Sequence, residues 1–151
     1  MENTPYHYTE CGLENIYLSN GFKFTENPRG RAVSIHDIDG LHKVIGLYLV
    51  TSKKDLSKEE VRFLRNELLM SQNTLGRLLG VSEQAVRRWE RGKTMIPKPS
   101  EFLLRLLYRE QVDDEDGKIA TLLKEIADLE DRMKDQRLLF VDTKKGWQSA
   151  A

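Results

Sequence analysis

Two glycines four residues apart, framed by two serines, constrain the fold of this chain more than any other feature in it. Over Ser71–Gly92 the apolar residues Leu75, Leu78 and Leu79, and then Val86 and Trp89, recur at helical spacing on either side of Gly80. Ser71 precedes the first run and Ser82 the second, each placed to cap a helix N-terminus through its hydroxyl. Gly80 ends the first helix where the turn needs a left-handed backbone. Gly76 is the small residue that two steeply crossed helices require where they touch. The spacing therefore predicts two short helices and a tight turn, with Leu75, Leu79, Val81, Val86 and Trp89 locking them together.

The second of these helices turns Gln84, Arg87, Arg88 and Arg91 away from that apolar side. An exposed helix face carrying an amide and several guanidinium groups suits the major groove of DNA. There glutamine can bond adenine bidentately and arginine can grip guanine O6 and N7. The charge distribution agrees. Although the formal net charge is zero, residues 51–110 hold 13 basic against 8 acidic side chains, while residues 1–50 and 111–151 are net acidic. A polyanion would be drawn to the middle third.

The run Ser71-Gln72-Asn73-Thr74-Leu75-Gly76-Arg77-Leu78-Leu79-Gly80-Val81-Ser82, continued by Glu83-Gln84-Ala85-Val86-Arg87-Arg88-Trp89-Glu90-Arg91-Gly92-Lys93, resembles the Xre/Cro-repressor class of helix-turn-helix. Within that class it is most similar to the DNA-binding half of MqsA-type (YgiT-type) antitoxins, which repress their own toxin–antitoxin operons as dimers. The resemblance covers residues 57–110. It implies that Gln72, with Asn73 beside it, meets a DNA phosphate and braces the recognition helix. It implies base contacts from Gln84 and Arg88, flanked by Ser82, Glu83 and Arg87, and phosphate contacts from Arg91 and Lys93. Glu83 could accept from cytosine N4 or simply favour the helix N-terminus electrostatically. The zinc module that forms the other half of those antitoxins rests on paired cysteines. Here Cys11 stands alone, so that module is not expected.

Around this motif the remaining elements read more coarsely. Ser57-Lys58-Glu59-Glu60 is a capping box that opens an earlier helix, with Val61, Leu64, Leu68 and Leu69 as its buried stripe. Pro97-Lys98-Pro99-Ser100 opens a later one, whose Phe102, Leu103, Leu106 and Leu107 would close the core. Upstream, Glu14–Leu18 and Phe22–Thr25 flank Ser19-Asn20-Gly21, a hairpin signal. Asn27-Pro28-Arg29-Gly30 reads as a second turn, with a third short strand over Ala32–Ile35. Asp37 or Asp39 could then cap a helix whose apolar face is Leu41, Val44, Ile45 and Tyr48. Downstream, past the acidic Asp113–Asp116, the residues Ile119, Leu122, Ile126, Leu129 and Met133 follow coiled-coil spacing until Gln136 interrupts it. Leu138–Val141 suggests a short strand, and Trp147 a packing anchor.

The exclusions are short. No apolar run approaches the roughly 18–20 residues of a membrane span. The opening Met1–Pro5 carries no basic cluster before an apolar stretch, so no secretory signal is expected and a cytoplasmic location is the default. One cysteine allows no intramolecular disulfide. His7, His36 and His42 scatter through the first segment with Cys11, whereas a metal site needs three or four converging ligands, so none is expected. They also display no base-and-orienter pair for a nucleophile, so neither cofactor nor catalysis is expected. The sequence thus predicts a mainly α (α+β) chain. A strand–helix unit over 1–52 comes first, then a lambda-repressor-like helix-turn-helix bundle over 53–110, then an acidic helical tail over 111–151. The expected activity is sequence-specific, dimeric repression at a palindromic operator in double-stranded DNA. The alternative is an antitoxin that neutralises a protein toxin and represses its own operon.

Overall fold

A computed structural model describes residues 4–113, 117–129 and 138–150. Strands β1 (Tyr6–His7), β2 (Tyr17–Leu18), β3 (Phe22–Asn27) and β4 (Gly30–Ile35) come first, followed by helix α1 (Ile38–Ser52). Helices α2 (Lys58–Glu67), α3 (Gln72–Leu79), α4 (Glu83–Glu90) and α5 (Lys98–Asp113) form the central bundle. Helix α6 (Lys118–Asp128) and strands β5 (Phe140–Thr143) and β6 (Gly146–Ser149) complete the described residues. The fold is mainly α with small antiparallel strand pairs, as the sequence predicts. One core runs through the bundle: Val61, Leu64, Leu75, Val86, Leu104 and Leu107 are all buried, and Tyr8, Leu13 and Leu18 reach it from the segment that holds β1 and β2.

The caps follow the local chemistry. At Ser57 the capping box is complete: the hydroxyl accepts from the Glu60 N–H and the Glu60 carboxylate accepts from the Ser57 N–H. Asp37, not Asp39, caps α1, its carboxylate accepting from the Gly40 N–H at 3.2 Å.

Strand pairing departs from the sequence reading. Ser19-Asn20-Gly21 is not a hairpin turn: β2 pairs backward with β1, placing Tyr6 opposite Leu18. The six-residue hairpin is β3–β4, with Asn27 opposite Gly30. There the Asn27 side chain accepts from the Arg29 N–H at 2.9 Å, while the Pro28 ring presets the turn. Gly21, at φ +81°, instead bends the chain from β2 into β3.

Three apolar faces are also corrected. On α1 the buried residues are Ile45, Gly46, Leu49 and Val50, whereas Val44 and Tyr48 are exposed. Gly46 decides the rotation. A Cβ there would lie 2.1 Å from the Tyr108 ring, so only a glycine lets α5 come this close. On α5, Leu104, Leu107 and Tyr108 close the core, and Phe102 and Leu106 face outward. Leu69 is 93% exposed, because it takes a left-handed backbone (φ +58°) that turns the chain out of α2.

The tail also differs from its expected form. Helix α5 continues to Asp113, and β5–β6 forms a hairpin. Trp147 is 74% exposed rather than buried as a packing anchor. On α6, Ile119, Ala120 and Leu123 pack against the core while Leu122, Ile126 and Leu129 face outward. The expected seam positions Met133 and Gln136 lie outside the described residues.

A buried carboxylate joins α5 to the segment before α2. Glu101 accepts from Arg105 Nη2 at 2.9 Å, Lys98 Nζ at 3.0 Å and the Leu56 N–H at 3.0 Å. Burial pushes its carboxyl up, but the three donors outweigh burial and hold it below the ordinary glutamate value. A carboxyl depressed in the folded state contributes stability that is complete above the unfolded pKa of about 4.3 and is lost as pH falls below it. Urea midpoints should therefore decline below about pH 4, and Glu101→Gln, already weaker at pH 7, should decline less steeply. Parallel acid limbs for the two proteins would contradict this assignment.

Candidate nucleic-acid interface

Helix α3, the turn at Gly80 and helix α4 are built by local rules. The Ser71 hydroxyl accepts from the Thr74 N–H at 3.0 Å, and the Ser82 hydroxyl from the Ala85 N–H at 3.1 Å. Gly80 takes the left-handed conformation at φ +71° and ψ 28°. A Cβ on Gly76 would lie 2.8 Å from the Val81 carbonyl oxygen, so glycine is what allows α3 and α4 to cross closely. Leu75, Leu79, Val86 and Trp89 are buried at this crossing, with Val81 partly so.

The C-terminus of α4 is fastened from two other helices. Glu90, its last residue, has its side chain 3% exposed. Arg65 of α2 grips it bidentately, Nε to Oε2 at 2.6 Å and Nη2 to Oε1 at 2.8 Å, and donates Nη1 to the Met70 carbonyl at 2.9 Å. The Gln72 amide donates to Glu90 Oε1 at 3.2 Å, and Arg62 Nε approaches to 3.7 Å. Forked guanidinium–carboxylate pairing fixes direction as well as distance. The rotation of α4 about its axis is therefore set by α2 and α3 together. The Gln72 amide thus holds the end of α4 through Glu90.

Sequence reasoning missed Arg65 and Glu90. A signal was present: Glu90 lies four residues after Val86 and one after Trp89, within the buried stripe, where a carboxylate needs a partner.

The outward residues fall into two groups. Gln84, Arg88, Arg91 and Lys93 are exposed, and among the described residues no hydrogen bond or ion pair engages their side chains. Ser82 and Glu83 are also exposed, but occupied: the serine caps the helix, and Glu83 accepts from Arg87 Nη2 at 3.2 Å. Asn73 is exposed in the first turn of α3. Lys58, which the sequence reading placed only in the capping box, lies along Gly92, its Cδ 3.0 Å from where a Cβ on that glycine would be. A basic rim of Lys58, Arg62, Arg91 and Lys93 thus borders the open face of α4. Among the described residues of the tail, helix α6 packs on α3 and α5, and Asp128 pairs with Arg77 of α3 at 3.1 Å.

Elsewhere the titratable groups are engaged in structure. Burial pushes the Tyr8 phenol up to about 12, so it stays protonated and donates to His42 Nε2 at 2.7 Å. The His42 Nδ1–H then donates to Glu67 at 2.7 Å, tying the N-terminal strands to α1 and α2. Burial likewise raises the Cys11 thiol above its ordinary value, which disfavours a nucleophilic thiolate. Among the described residues no helix is long and apolar enough to cross a membrane.

Residues 61–103 match the model of a family described as helix-turn-helix, a span from α2 into the first turns of α5. No curated protein and no solved structure matches the chain. The matched region is a helix-turn-helix of the Xre, lambda-repressor type, and it supports a DNA-binding regulator.

Proposed function

We propose that the chain is a sequence-specific transcriptional repressor that binds a palindromic operator as a dimer and does no chemistry. One observation carries this reading. Gln84, Arg88 and Arg91 stand exposed without polar partners among the described residues, on a helix whose rotation is fixed from behind by Glu90. Side chains held ready but unspent suit base and phosphate contacts. A domain of this size covers few base pairs, so two copies on half-sites about 34 Å apart would supply the specificity. Selection of bound sequences from a random duplex pool should return a palindrome with that spacing. A pool returning no enriched sequence would defeat the reading.

Two substitutions separate the roles. Arg88→Ala should weaken binding to the selected site by about 1–3 kcal/mol and relax the preference at one position. Lys93→Ala should weaken binding to all duplexes alike and shallow the salt dependence by about one unit. Titrations over a salt series with selected and scrambled duplexes check both. An Arg88→Ala protein that keeps full affinity for the selected site would remove the base contact from this residue.

A second reading is favoured by the aromatic surface outside the helix-turn-helix, where Tyr17 and Phe24 are exposed. On that reading the chain is an antitoxin whose N-terminal strands hold a protein toxin and whose DNA binding is feedback. Stoichiometric co-purification of a small basic protein encoded beside it would support this.

A further inference from the structure

Helices α3 and α6 are in contact but do not fill the space between them. A cleft of about 400 Å³ remains, open to solvent. Met70 and Leu78 on the α3 side, and Ala120 and Ala127 on α6, give it mainly apolar walls. Its rim sets Arg77 and Lys124 against the single carboxylate of Asp128, a balance of +1. Arg77 and Asp128 pair with each other at 3.1 Å. Lys124 is different: among the described residues no hydrogen bond or ion pair engages its ammonium, nor the hydroxyl of Thr121 on the same rim.

Apolar walls with a few polar groups at the edge are the usual make-up of a small-molecule site, and a space of this order holds a ligand of about ten heavy atoms. The rim selects its charge. A neutral apolar molecule would leave the Lys124 ammonium unanswered, and a cation would meet two like charges. A carboxylate gives Lys124 a charge-assisted hydrogen bond and brings the rim to neutrality.

The geometry points to an effector site for a small monocarboxylate, its apolar body between Leu78 and Ala127 and its head group on Lys124, with the Thr121 hydroxyl donating beside it. Occupancy bears on DNA through Met70. This lining residue accepts from Arg65 Nη1 at 2.9 Å through its carbonyl, and the other two donors of Arg65 hold Glu90 at the end of α4. The fork is complete with the cleft empty, so a ligand that displaces Met70 loosens it and lowers DNA affinity. By linkage, DNA lowers the affinity for the carboxylate by the same factor. This regulatory role rests on the DNA-binding reading above; the site itself does not.

The test titrates the full-length chain, free of DNA, with octanoate and with its neutral and cationic counterparts octanamide and octylamine. Backbone amide resonances of residues 70–78 and 118–128 should move with octanoate. Octanoate should bind at least about tenfold more tightly than either counterpart, the worth of one charge-assisted bond. Lys124→Ala should erase that preference. Ala127→Phe, which fills the cleft, should weaken octanoate binding with helical circular dichroism unchanged; if it misfolds, Lys124→Ala, at an exposed position, decides alone. Resonances of both segments left unmoved, octanamide binding as well as octanoate, or a Lys124→Ala protein that keeps the preference overturns the site. For regulation, saturating octanoate should lower affinity for the selected duplex at least about fivefold against acetate at equal concentration, and should not do so in Lys124→Ala. Unchanged or raised affinity overturns the effector role. A chain that holds octanoate in the cleft yet ignores all duplex DNA loses the DNA reading and the regulation built on it. One that selects a DNA sequence and ignores octanoate loses only the site.

Discussion

Glu90→Ala is expected to destabilise the helix-turn-helix region by about 3–5 kcal/mol, the cost of removing one partner from a buried ion pair. Arg65 would keep its Nη1 bond to Met70 but lose both bonds of the fork, with its side chain only 12% exposed to water. Gln72 would lose the acceptor of its amide at the same moment. The effect should therefore exceed that of removing an exposed pair such as Lys98–Asp55, which is worth a fraction of this. Glu90→Gln should fall between, since an amide oxygen can still accept from the fork but carries no charge. Loss of duplex affinity should outlast the loss of stability: at temperatures where Glu90→Ala remains folded, sequence preference should still be blunted, because the C-terminus of α4 is no longer indexed against α2. Denaturant melts with binding measured well below the midpoint separate the two effects. A variant that unfolds like the parent would mean that the fork is not what positions α4.

The division between what was readable in the sequence and what was not has a physical basis. The caps at Ser57, Ser71 and Ser82 and the turn at Gly80 each depend on atoms within four residues, so spacing alone reveals them. The outward face of α4 is legible for the same reason, as the complement of Val86 and Trp89. Helix α1 is different. It carries apolar side chains on more than one face, including Val44, Ile45, Tyr48, Leu49 and Val50, so periodicity does not single one out. The choice is made by the Tyr108 ring lying over Gly46, a contact 62 residues away in the chain. Strands β1 and β2 show the same dependence, since Leu18 is drawn inward by the core rather than by the adjacent Asn20-Gly21. The Arg65–Glu90 fork lies between these cases. The carboxylate is visibly out of place on a buried stripe, but its partner is known only once α2 and α4 are packed.

Gly76→Val should cost about 3 kcal/mol and disturb the start of α4, where Glu90→Ala disturbs its end. The first added carbon would meet the Val81 carbonyl oxygen at 2.8 Å and the Ser82 carbonyl group at 3.2 Å. These are backbone atoms held on both sides. The Val81 N–H donates to the Gly76 carbonyl at 2.9 Å, and Ser82 is the cap of α4. Neither can retreat as a flexible side chain would, so relief requires moving the start of α4 away from α3. Alanine at this position recovers up to about 1 kcal/mol through its better helix propensity, against an overpacking penalty of about 1–3 kcal/mol. Valine adds two further methyl groups and its own β-branched penalty, so it should be clearly worse than alanine. A shifted α4 N-terminus displaces Gln84 and Arg88 while leaving Arg91 and Lys93 near the far end of the helix. Affinity for the selected site should then fall more steeply than affinity for scrambled duplex, which the basic rim sustains. Equal losses on both duplexes, or a valine variant as stable as the parent, would show that the two helices do not cross closely enough at Gly76 for the glycine to matter.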